Sequence, residues 1–260
     1  MKRLRFYVNA EKPRALEKCR ELNDVARRLG FEIVEEAPDC VIVLGGDGTI
    51  LRAVHEVGGA PVLGFNLGGL GYLSAVGENE FEAALQKLAA GRYRISERTV
   101  LEVNGQYPAL NDVVITRELS GHSALLELEA DGKPVTRYMA DGLIFATPTG
   151  STAYSLAAGG PVLMPDSGSF VVTPMNPHAL GVRPLVLRDT ARFRVTARSR
   201  SAGNAMKIGV YADGENVLTL DAGCSVEIAR ASRRAALVEL EGYDPYVVLA
   251  RKLGWSGSNV

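Results

Sequence analysis

The 260-residue chain has few cysteines, almost no net charge and no long apolar run. Its 3 cysteines, Cys19, Cys40 and Cys224, are widely spaced and form no CxxC pair. This excludes a disulfide framework and a zinc site of the usual spacing, and it favours a reducing, cytoplasmic location. A net charge of −1 provides no general attraction to nucleic acid. Because no segment approaches the ~20 apolar residues that cross a bilayer, we expect neither a nucleic-acid nor a membrane partner.

Two common phosphate-binding motifs are also absent. The sequence contains no Gly-Lys-Ser/Thr, which excludes a Walker A loop. Gly46-Asp47-Gly48 begins like a dinucleotide fingerprint, but Leu51 stands where the third glycine belongs. A dehydrogenase is therefore not expected.

The first hundred residues alternate short apolar runs with helical patterns. The unbroken apolar run Cys40–Leu44 predicts a strand that is covered on both faces. Further strands are predicted at residues 4–8, 31–34 and 62–66, and helices at residues 13–29 and 80–90. This alternation predicts an open, doubly wound α/β sheet in residues 1–98.

A different rhythm begins near residue 99. Asn104-Gly105, Asp131-Gly132 and Asp213-Gly214 each lie between short apolar segments, which is a strong hairpin pattern. Residues 99–240 are therefore predicted to form a mostly antiparallel β domain. The tail, residues 241–260, regains helical spacing and is expected to return to the first domain. The predicted fold therefore has two domains, an α/β domain followed by a mostly antiparallel β domain, and its class is α+β overall.

The segment Gly45–Thr49 lies between the predicted buried strand and a helical stripe. Gly45, Gly46 and Gly48 would let the backbone approach a polyphosphate, and Thr49 could cap the helix. A carboxylate at Asp47 repels phosphate unless it has a task, such as holding a metal ion or accepting a hydroxyl proton. The alternative is a simple turn, with Asp47 as the helix cap and glycines chosen for positive φ.

A second stretch, residues 140–161, reads as a strand followed by a hydroxyl-rich turn and a helix of small residues. Such a turn offers hydroxyls, free N–H groups and the ring of Tyr154 to a ligand. The alternative is a capped helix with Tyr154 in the core.

The Gly-Gly-Asp-Gly-Thr turn resembles the signature shared by NAD kinases, the diacylglycerol and sphingosine kinases and, more distantly, the phosphofructokinases. Residues 140–161 resemble the second signature of the NAD kinase family, and the pairing of the two is specific. The likeness runs from about residue 39 to Trp255. It departs from the family at Met139, Ala157, Asn176 and Gly181.

This resemblance implies phosphoryl transfer from ATP, another nucleoside triphosphate or polyphosphate to the 2′-hydroxyl of the adenosine ribose of NAD. Mg²⁺ or Mn²⁺ would accompany the donor, and no residue is assigned as a metal ligand. Asp47 would orient the hydroxyl and accept its proton, and Arg52 is a candidate cation for the phosphates.

The resemblance also assigns binding residues for NAD or NADP and ATP. Asn111 and Asp112 would hold the ribose hydroxyls, although the residues alone favour a polar turn. Tyr154 and Tyr72 would offer stacking faces, although Tyr72 by itself reads as a core aromatic. Thr152, Ala153 and Ser155 would read the adenine edge. The remaining residues assigned to nucleotide binding are Gly45, Gly46, Gly48, Thr49, Arg52, Asp141, Thr149, Ala157, Asn176, His178 and Glu215.

In the family, the β domain mediates self-association. Asp141, Asn176 and His178 would then serve the ligand of a neighbouring subunit in a homodimer or homotetramer. A lipid kinase with the same glycine turn and a non-enzymatic NADP sensor are the competing interpretations. The lipid kinase would not need Asn111 and Asp112, and the sensor would not need a proton acceptor beside the ribose.

Overall fold

The structure, a computed structural model, describes residues 1–9, 13–68, 71–74, 76–118, 123–198 and 207–255. It divides into two compact units, one of Met1–Glu97 with Ala235–Val260 and one of Arg98–Arg234. Every helix in the described residues is too short or too polar to cross a membrane.

The first part of the chain alternates strands and helices, as the sequence predicts. The elements are β1 (Arg3–Val8), α1 (Pro13–Arg28), β2 (Glu32–Ile33), β3 (Cys40–Leu44), α2 (Asp47–Glu56), β4 (Val62–Phe65), α3 (Phe81–Ala89) and β5 (Tyr93–Arg98), with a 3₁₀ turn at Glu78–Glu80.

The middle of the chain is almost entirely strand. Its elements are β6 (Leu101–Val103), β7 (Tyr107–Ala109), β8 (Asp112–Arg117), β9 (Ala124–Ala130), β10 (Lys133–Ala140), β11 (Gly142–Ala146), a 3₁₀ turn (Gly150–Thr152), α4 (Tyr154–Ala157), β12 (Ser169–Met175), β13 (Leu185–Arg188), β14 (Phe193–Arg198), β15 (Lys207–Ala212), β16 (Glu215–Asp221) and β17 (Ser225–Arg230). The chain ends with β18 (Ala235–Leu240) and α5 (Pro245–Leu253).

The first unit is built on one sheet with the strand order β2-β1-β3-β4-β18-β5. The pairs β1–β2, β1–β3, β3–β4 and β4–β18 are parallel. Leu63 and Phe65 pack with residues of α1 and α3 in one core cluster. Side chains alternate between the faces of a strand, and a Cβ on the intervening Gly64 would collide with Ile50 of α2. Helices therefore cover both faces, and the doubly wound α/β sheet is confirmed.

The second unit contains two antiparallel sheets with a shared core. Their strand orders are β10-β9-β14-β17-β6-β7 and β13-β12-β11-β8-β15-β16. Side chains of both sheets, including Leu128, Phe145, Phe193 and Val210, belong to one buried cluster. The mostly antiparallel β domain is therefore confirmed.

The three predicted hairpin turns are present in this unit. They join β6 to β7, β9 to β10 and β15 to β16. Asn104, Asp131 and Asp213 have positive φ of 50°, 51° and 47°, and each is followed by a glycine with positive φ. Asn and Asp tolerate this conformation better than other non-glycine residues, which explains why the turns were visible in the sequence.

The second domain boundary differs from the predicted one. The sequence places residues 99–240 in the β domain, whereas β18 pairs in parallel with β4 of the first sheet, through Leu237 and Val62. An apolar strand has the same pattern in either kind of buried sheet, so the sequence could not show this partner. The helix that follows, α5, is also in the first unit. Asp244 caps α5 by accepting the N–H groups of Tyr246 and Val247.

Candidate active site

The glycine turn lies at the carboxyl end of β3, next to the end of β4. The N–H of Gly45 donates to the carbonyl of Phe65 at 2.9 Å. Helix α2 begins at Asp47 with Gly46 as its N-cap, and no side chain caps it. Thr49 is therefore the third residue of the helix, and its predicted role as the cap is wrong. The turn lies where ligands bind in open parallel sheets, with the positive end of a helix dipole behind it.

The glycines of this turn are not explained by backbone conformation. Gly45, Gly46 and Gly48 are not among the residues with positive φ, and φ of Gly46 is −85°. A Cβ on Gly45 would collide with the side chain of Thr49. Gly46 and Gly48 are exposed, and a Cβ on either would meet nothing within 4 Å. The positive-φ alternative is wrong, and close approach by a ligand is a reason that remains for glycine at these two positions.

The carboxylate of Asp47 is held by the segment that follows β4. Its Oδ2 accepts the N–H of Tyr72 at 2.8 Å, and its Oδ1 accepts the N–H groups of Leu73 at 3.1 Å and Ser74 at 3.2 Å. The hydroxyl of Ser74 also donates to Oδ1, at 3.2 Å. Asp47 is thus not the helix cap of the alternative interpretation. It is a fixed, half-buried anion at the edge of the sheet.

Two further predicted residues lie in this unit. Tyr72 is half-buried rather than a core residue, and the ammonium of Lys252 in α5 lies 5.5 Å from its ring centroid. Burial and the negative charge of Asp47 raise the pKa of Tyr72. Arg52 is exposed on α2. Burial and Glu56 raise the pKa of Tyr7, and the positive charge of Arg52 acts in the opposite direction. Residues 69 and 70, just before Gly71 and Tyr72, lie outside the described residues.

Asn111 and Asp112 lie at one end of a sheet in the β unit, beside the hydroxyl-rich turn. Asp112 begins β8 and pairs with Ala146, the last residue of β11. Thr147 then bonds back to this segment, because its N–H donates to the carbonyl of Asn111 at 2.9 Å and its hydroxyl to the carbonyl of Leu110 at 2.6 Å. The structure therefore brings the Asn111–Asp112 pair and the hydroxyl-rich turn together.

Asp213 holds the same segment from the neighbouring hairpin. Its carboxylate accepts the N–H groups of Leu110 and Asn111, each at 2.7 Å, and that of Asp112 at 3.2 Å. The side chain of Asp112 is buried, with 6% exposure. Burial, together with the negative charge of Asp213, raises the pKa of Asp112 to about 7. Asp112 is therefore poised to change its charge near neutral pH.

The hydroxyl-rich turn contains both exposed and buried groups. Tyr154 is 46% exposed, so the alternative that places it in the core is wrong. Ser155 is fully buried and its hydroxyl is bonded to that of Thr173 at 2.8 Å. This bond argues against a direct contact between the Ser155 hydroxyl and a base. The half-buried Thr152 donates its hydroxyl to the carbonyl of Thr149 at 3.2 Å.

The other predicted residues at this end differ in accessibility. Ala153 is half-buried and caps α4 without a side-chain hydrogen bond, and Ala157 is exposed at the end of that short helix. Glu215 is exposed at the start of β16, where it pairs with Ala212.

Asp141, Asn176 and His178 form a second cluster at the opposite end of β11. The carboxylate of Asp141 accepts the side-chain amide of Asn176 at 3.0 Å and pairs with the guanidinium of Arg117 at 2.8 Å. The N–H of His178 donates to the carbonyl of Met139 at 2.9 Å, and its ring is bonded to the hydroxyl of Ser123. Asp141 and Thr147 flank the five-residue β11, so this cluster lies roughly 20 Å along the strand from Thr147.

Several residues that hold the site were not identified from the sequence. Ser74 donates its hydroxyl to Asp47, and Asn66 donates to Ser74. Asp213 accepts the N–H of Asn111, and Arg117 forms an ion pair with Asp141. The sequence indicates Asp213 in part, because the Asp213-Gly214 turn predicts that its carboxylate lies at the end of a strand. The other three depend on which strands are neighbours in space.

Known proteins match this chain over most of its length. Residues 6–93 match the ATP-NAD kinase N-terminal domain, and residues 110–240 match the ATP-NAD kinase C-terminal domain. The NAD kinase of Syntrophotalea carbinolica is 35% identical over 286 aligned positions, covering 98% of this chain and 99% of that protein. The NAD kinase of Symbiobacterium thermophilum is 42% identical over 225 positions, covering 83% and 78%.

Solved structures give a consistent result. The crystal structure of yeast NADH kinase complexed with NADH has a TM-score of 0.84 and 26% identity, covering 100% of this chain and 89% of that one. An NAD kinase from Archaeoglobus fulgidus, solved in complex with ATP, has a TM-score of 0.80 and 24% identity, covering 98% and 99%, and shows the same fold.

A glycine turn with a fixed carboxylate at the end of a parallel sheet is an arrangement suited to phosphoryl transfer, so the fold and the site fit the class of kinases. Matches to both domain models and to curated relatives define it more narrowly. The chain belongs to the NAD kinase family. These matches support neither the lipid kinase nor the sensor.

Proposed function

We propose that this chain transfers the terminal phosphoryl group of ATP to the 2′-hydroxyl of the adenosine ribose of NAD and so makes NADP. The observation that carries the proposal is the fixed carboxylate of Asp47 beside two glycines with open Cβ positions. This arrangement supports an anion-binding backbone and a proton acceptor in one turn. The relatives named NAD kinase and the NADH complex of the yeast enzyme support the choice of acceptor.

The donor phosphates are assigned to the N-terminus of α2. Gly46 and Gly48 are exposed and leave the backbone open to close approach, and the first N–H groups of a helix have no partner within the helix. Arg52 lies on the exposed side of the same helix and would supply positive charge. ATP is the proposed donor, and other nucleoside triphosphates or polyphosphate would use the same groups.

Mg²⁺ or Mn²⁺ is proposed to accompany the donor. In the parts of the chain that the structure describes, no group of three or more His, Cys, Asp or Glu side chains is arranged to hold a metal ion. Mg²⁺ commonly binds through one or two carboxylates plus substrate phosphates and keeps several waters. The residues present therefore fit an ion that arrives with the nucleotide. When bound, that ion would neutralise charge on the phosphate oxygens.

The reaction needs alignment and one proton acceptor. The 2′-oxygen forms a bond to the terminal phosphorus, and the bond from that phosphorus to the bridging oxygen breaks. The electron pair of the broken bond leaves with ADP, and the hydroxyl proton goes to Asp47. The four hydrogen bonds on this carboxylate fix its orientation before substrate binds, which is the preorganisation that phosphoryl transfer requires.

The ribose and adenine are assigned to the β unit. Asn111 and Asp112 would hold the ribose hydroxyls, on a segment made rigid by Asp213. Tyr154 offers an exposed aromatic face to the base. Thr149, Thr152, Ala153, Ala157 and Glu215 would complete this side.

The second cluster favours an assembly in which subunits share sites. Asp141, Asn176 and His178 lie at the other end of β11 from Asn111 and Asp112. We assign them to the dinucleotide of a neighbouring subunit in a homodimer or homotetramer. A cytoplasmic location, where NAD and ATP are abundant, completes the proposal.

The test is a coupled assay on the purified chain. NAD, ATP and Mg²⁺ are supplied, and NADP is detected with an NADP-specific dehydrogenase. We expect NADP formation by the unchanged chain and a loss of about 100-fold or more in Asp47→Asn, the range of general-base effects. Asp24→Asn is the matched control, because Asp24 is exposed on α1 and pairs only with Arg27 among the ion pairs of the described residues.

Two results would contradict the proposal. Binding of NAD or NADP without any product would indicate the sensor. Equal turnover by Asp47→Asn and Asp24→Asn would remove Asp47 from the reaction.

A further inference from the structure

The two oxygens of the Asp47 carboxylate are held unequally. Oδ1 accepts three hydrogen bonds, from the N–H groups of Leu73 and Ser74 and from the Ser74 hydroxyl. Among the described residues Oδ2 accepts one, from the N–H of Tyr72. Each carboxylate oxygen has about two lone-pair sites. Oδ1 is therefore saturated, whereas Oδ2 retains a site for another donor.

The backbone also shields Oδ1. A Cβ on Gly71, which is buried, would collide with Oδ1 of Asp47 and with the hydroxyl oxygen of Ser74. The chain at Gly71 thus passes directly against this oxygen and leaves no room for a substrate hydroxyl beside it. Substrate access is left to Oδ2.

Asn66 determines the direction of the Ser74 hydroxyl. The N–H of Gly68 donates to Oδ1 of Asn66 at 2.8 Å, and an N–H group can only donate, so this end of the amide is the carbonyl. The NH₂ end of Asn66 then faces Ser74 and donates to its hydroxyl oxygen at 2.9 Å. Because that oxygen is the acceptor, the proton of Ser74 points to Asp47. Ser74 and Asn66 are 0% and 4% exposed, so water does not replace these bonds.

We infer that Ser74, oriented by Asn66, is a positioning residue that anchors Oδ1 of Asp47 and leaves Oδ2 to receive the proton of the acceptor hydroxyl. This inference rests on the proposed role of Asp47. Ser74 does not touch the substrate. It acts by preventing the carboxylate from rotating, so that one oxygen keeps the geometry needed for proton transfer.

The experiment compares kcat and KM for NAD and ATP in Ser74→Ala, Ser74→Thr and the unchanged chain. Loss of the anchor should lower kcat about tenfold or more while both KM values stay within about twofold, because the binding groups are untouched. Ser74→Thr keeps a hydroxyl and should retain kcat within about threefold. The matched control is Ser169→Ala, because Ser169 donates its hydroxyl to the carbonyl of Ser167 in the other unit.

Asn66→Asp provides a second, nearly isosteric test that does not depend on Ser74→Ala folding. An aspartate keeps the acceptor for Gly68 but takes the proton of Ser74, so that the hydroxyl turns away from Asp47. We expect kcat to fall as in Ser74→Ala. The double variant should be no slower than the slower single variant, because both changes remove the same bond.

Three results would overturn this inference. They are an unchanged kcat in Ser74→Ala, a kcat in Ser74→Thr as low as in Ser74→Ala, and a double variant whose loss is the product of the two single losses. If Asp47→Asn abolishes turnover while Ser74→Ala has the same kcat as the unchanged chain, only the positioning role of Ser74 fails. If Asp47→Asn is fully active, the proposed function of Asp47 fails as well.

Discussion

Both units contain an aspartate whose carboxylate accepts three consecutive backbone N–H groups, but they use this arrangement in opposite ways. In the α/β unit Asp47 accepts those of residues 72–74. In the β unit Asp213 accepts those of residues 110–112. Asp47 is the proposed reactive group, and the segment that it binds is its support. Asp213 is the support, and the segment that it binds carries Asn111 and Asp112. The same local contact thus fixes the proposed proton acceptor in one unit and the proposed ribose-binding segment in the other.

The comparison also separates two environments for a carboxylate. Asp47 is half-buried and accepts four hydrogen bonds, which fix the orientation of its carboxylate. Asp112 is buried beside a second carboxylate, which disfavours its charge and raises its pKa to about 7. Burial and a neighbouring carboxylate, rather than the acid alone, therefore determine the protonation of Asp112.

Asp112 gives the largest expected effect. Its folded pKa of about 7 lies above the value of ~3.9 expected when the chain is unfolded. The folded form therefore binds the extra proton, and the stability that this contributes is lost as pH rises towards 7. Relative to Asp112→Asn, the free energy of unfolding should fall between about pH 4 and pH 7 by up to ~1.4 kcal/mol per unit, roughly 4 kcal/mol in total. Urea unfolding at a series of pH values measures this, and parallel curves for the two proteins would contradict it.

Removal of the support in the β unit comes next. Asp213→Ala leaves the N–H groups of residues 110–112 without their acceptor, and we expect a loss of about 3 kcal/mol in unfolding free energy with a raised KM for NAD. Asp213→Asn keeps one acceptor oxygen and tolerates the φ of 47°, so its loss should be smaller. Equal stability of the alanine variant and the unchanged chain would remove the supporting role.

Substitutions at the exposed glycines of the turn should change the KM for ATP rather than the free energy of unfolding. Gly46→Ala and Gly48→Ala add a methyl group that meets no atom of the chain, so unfolding should change by less than about 1 kcal/mol. The KM for ATP should rise about tenfold, because the methyl group stands in the path of the phosphates. Gly45→Ala is the contrast: its methyl group would collide with Thr49 and should destabilise the chain. An unchanged KM in both exposed variants would contradict the phosphate assignment.

The smallest expected effect concerns the cluster at the other end of β11. Asn176→Ala removes one donor to Asp141 and should raise the KM for NAD by about threefold, with little change in unfolding of the exposed site. Sedimentation analysis should show a homodimer or homotetramer. A fully active monomer would refute the assignment of this cluster to a neighbouring subunit.

The local elements could be predicted because each has a local cause. The apolar run Cys40–Leu44 became the fully buried β3, and the Asn-Gly and Asp-Gly pairs became hairpins because these residues adopt positive φ. Both site motifs were recognised for the same reason, since each is continuous in sequence.

The remaining features depend on contacts between distant segments. The sequence could not show that β18 pairs with β4, or that Ser74 donates to Asp47 across 27 positions. It also suggests Thr49 as the N-cap, whereas the N-cap is Gly46, three residues earlier, and the helix begins at Asp47. Element ends are less well defined by sequence than the elements themselves.

The central claim is that Asp47 is the proton acceptor and that Asp213 supports the binding segment. Its most direct test is the NAD affinity of Asp47→Asn, measured by titration calorimetry, together with the turnover of the same variant. The account predicts NAD affinity within about threefold of the unchanged chain, with turnover reduced by about 100-fold or more. Loss of NAD affinity in step with turnover would contradict it, because Asp47 would then be a binding group and not the proton acceptor.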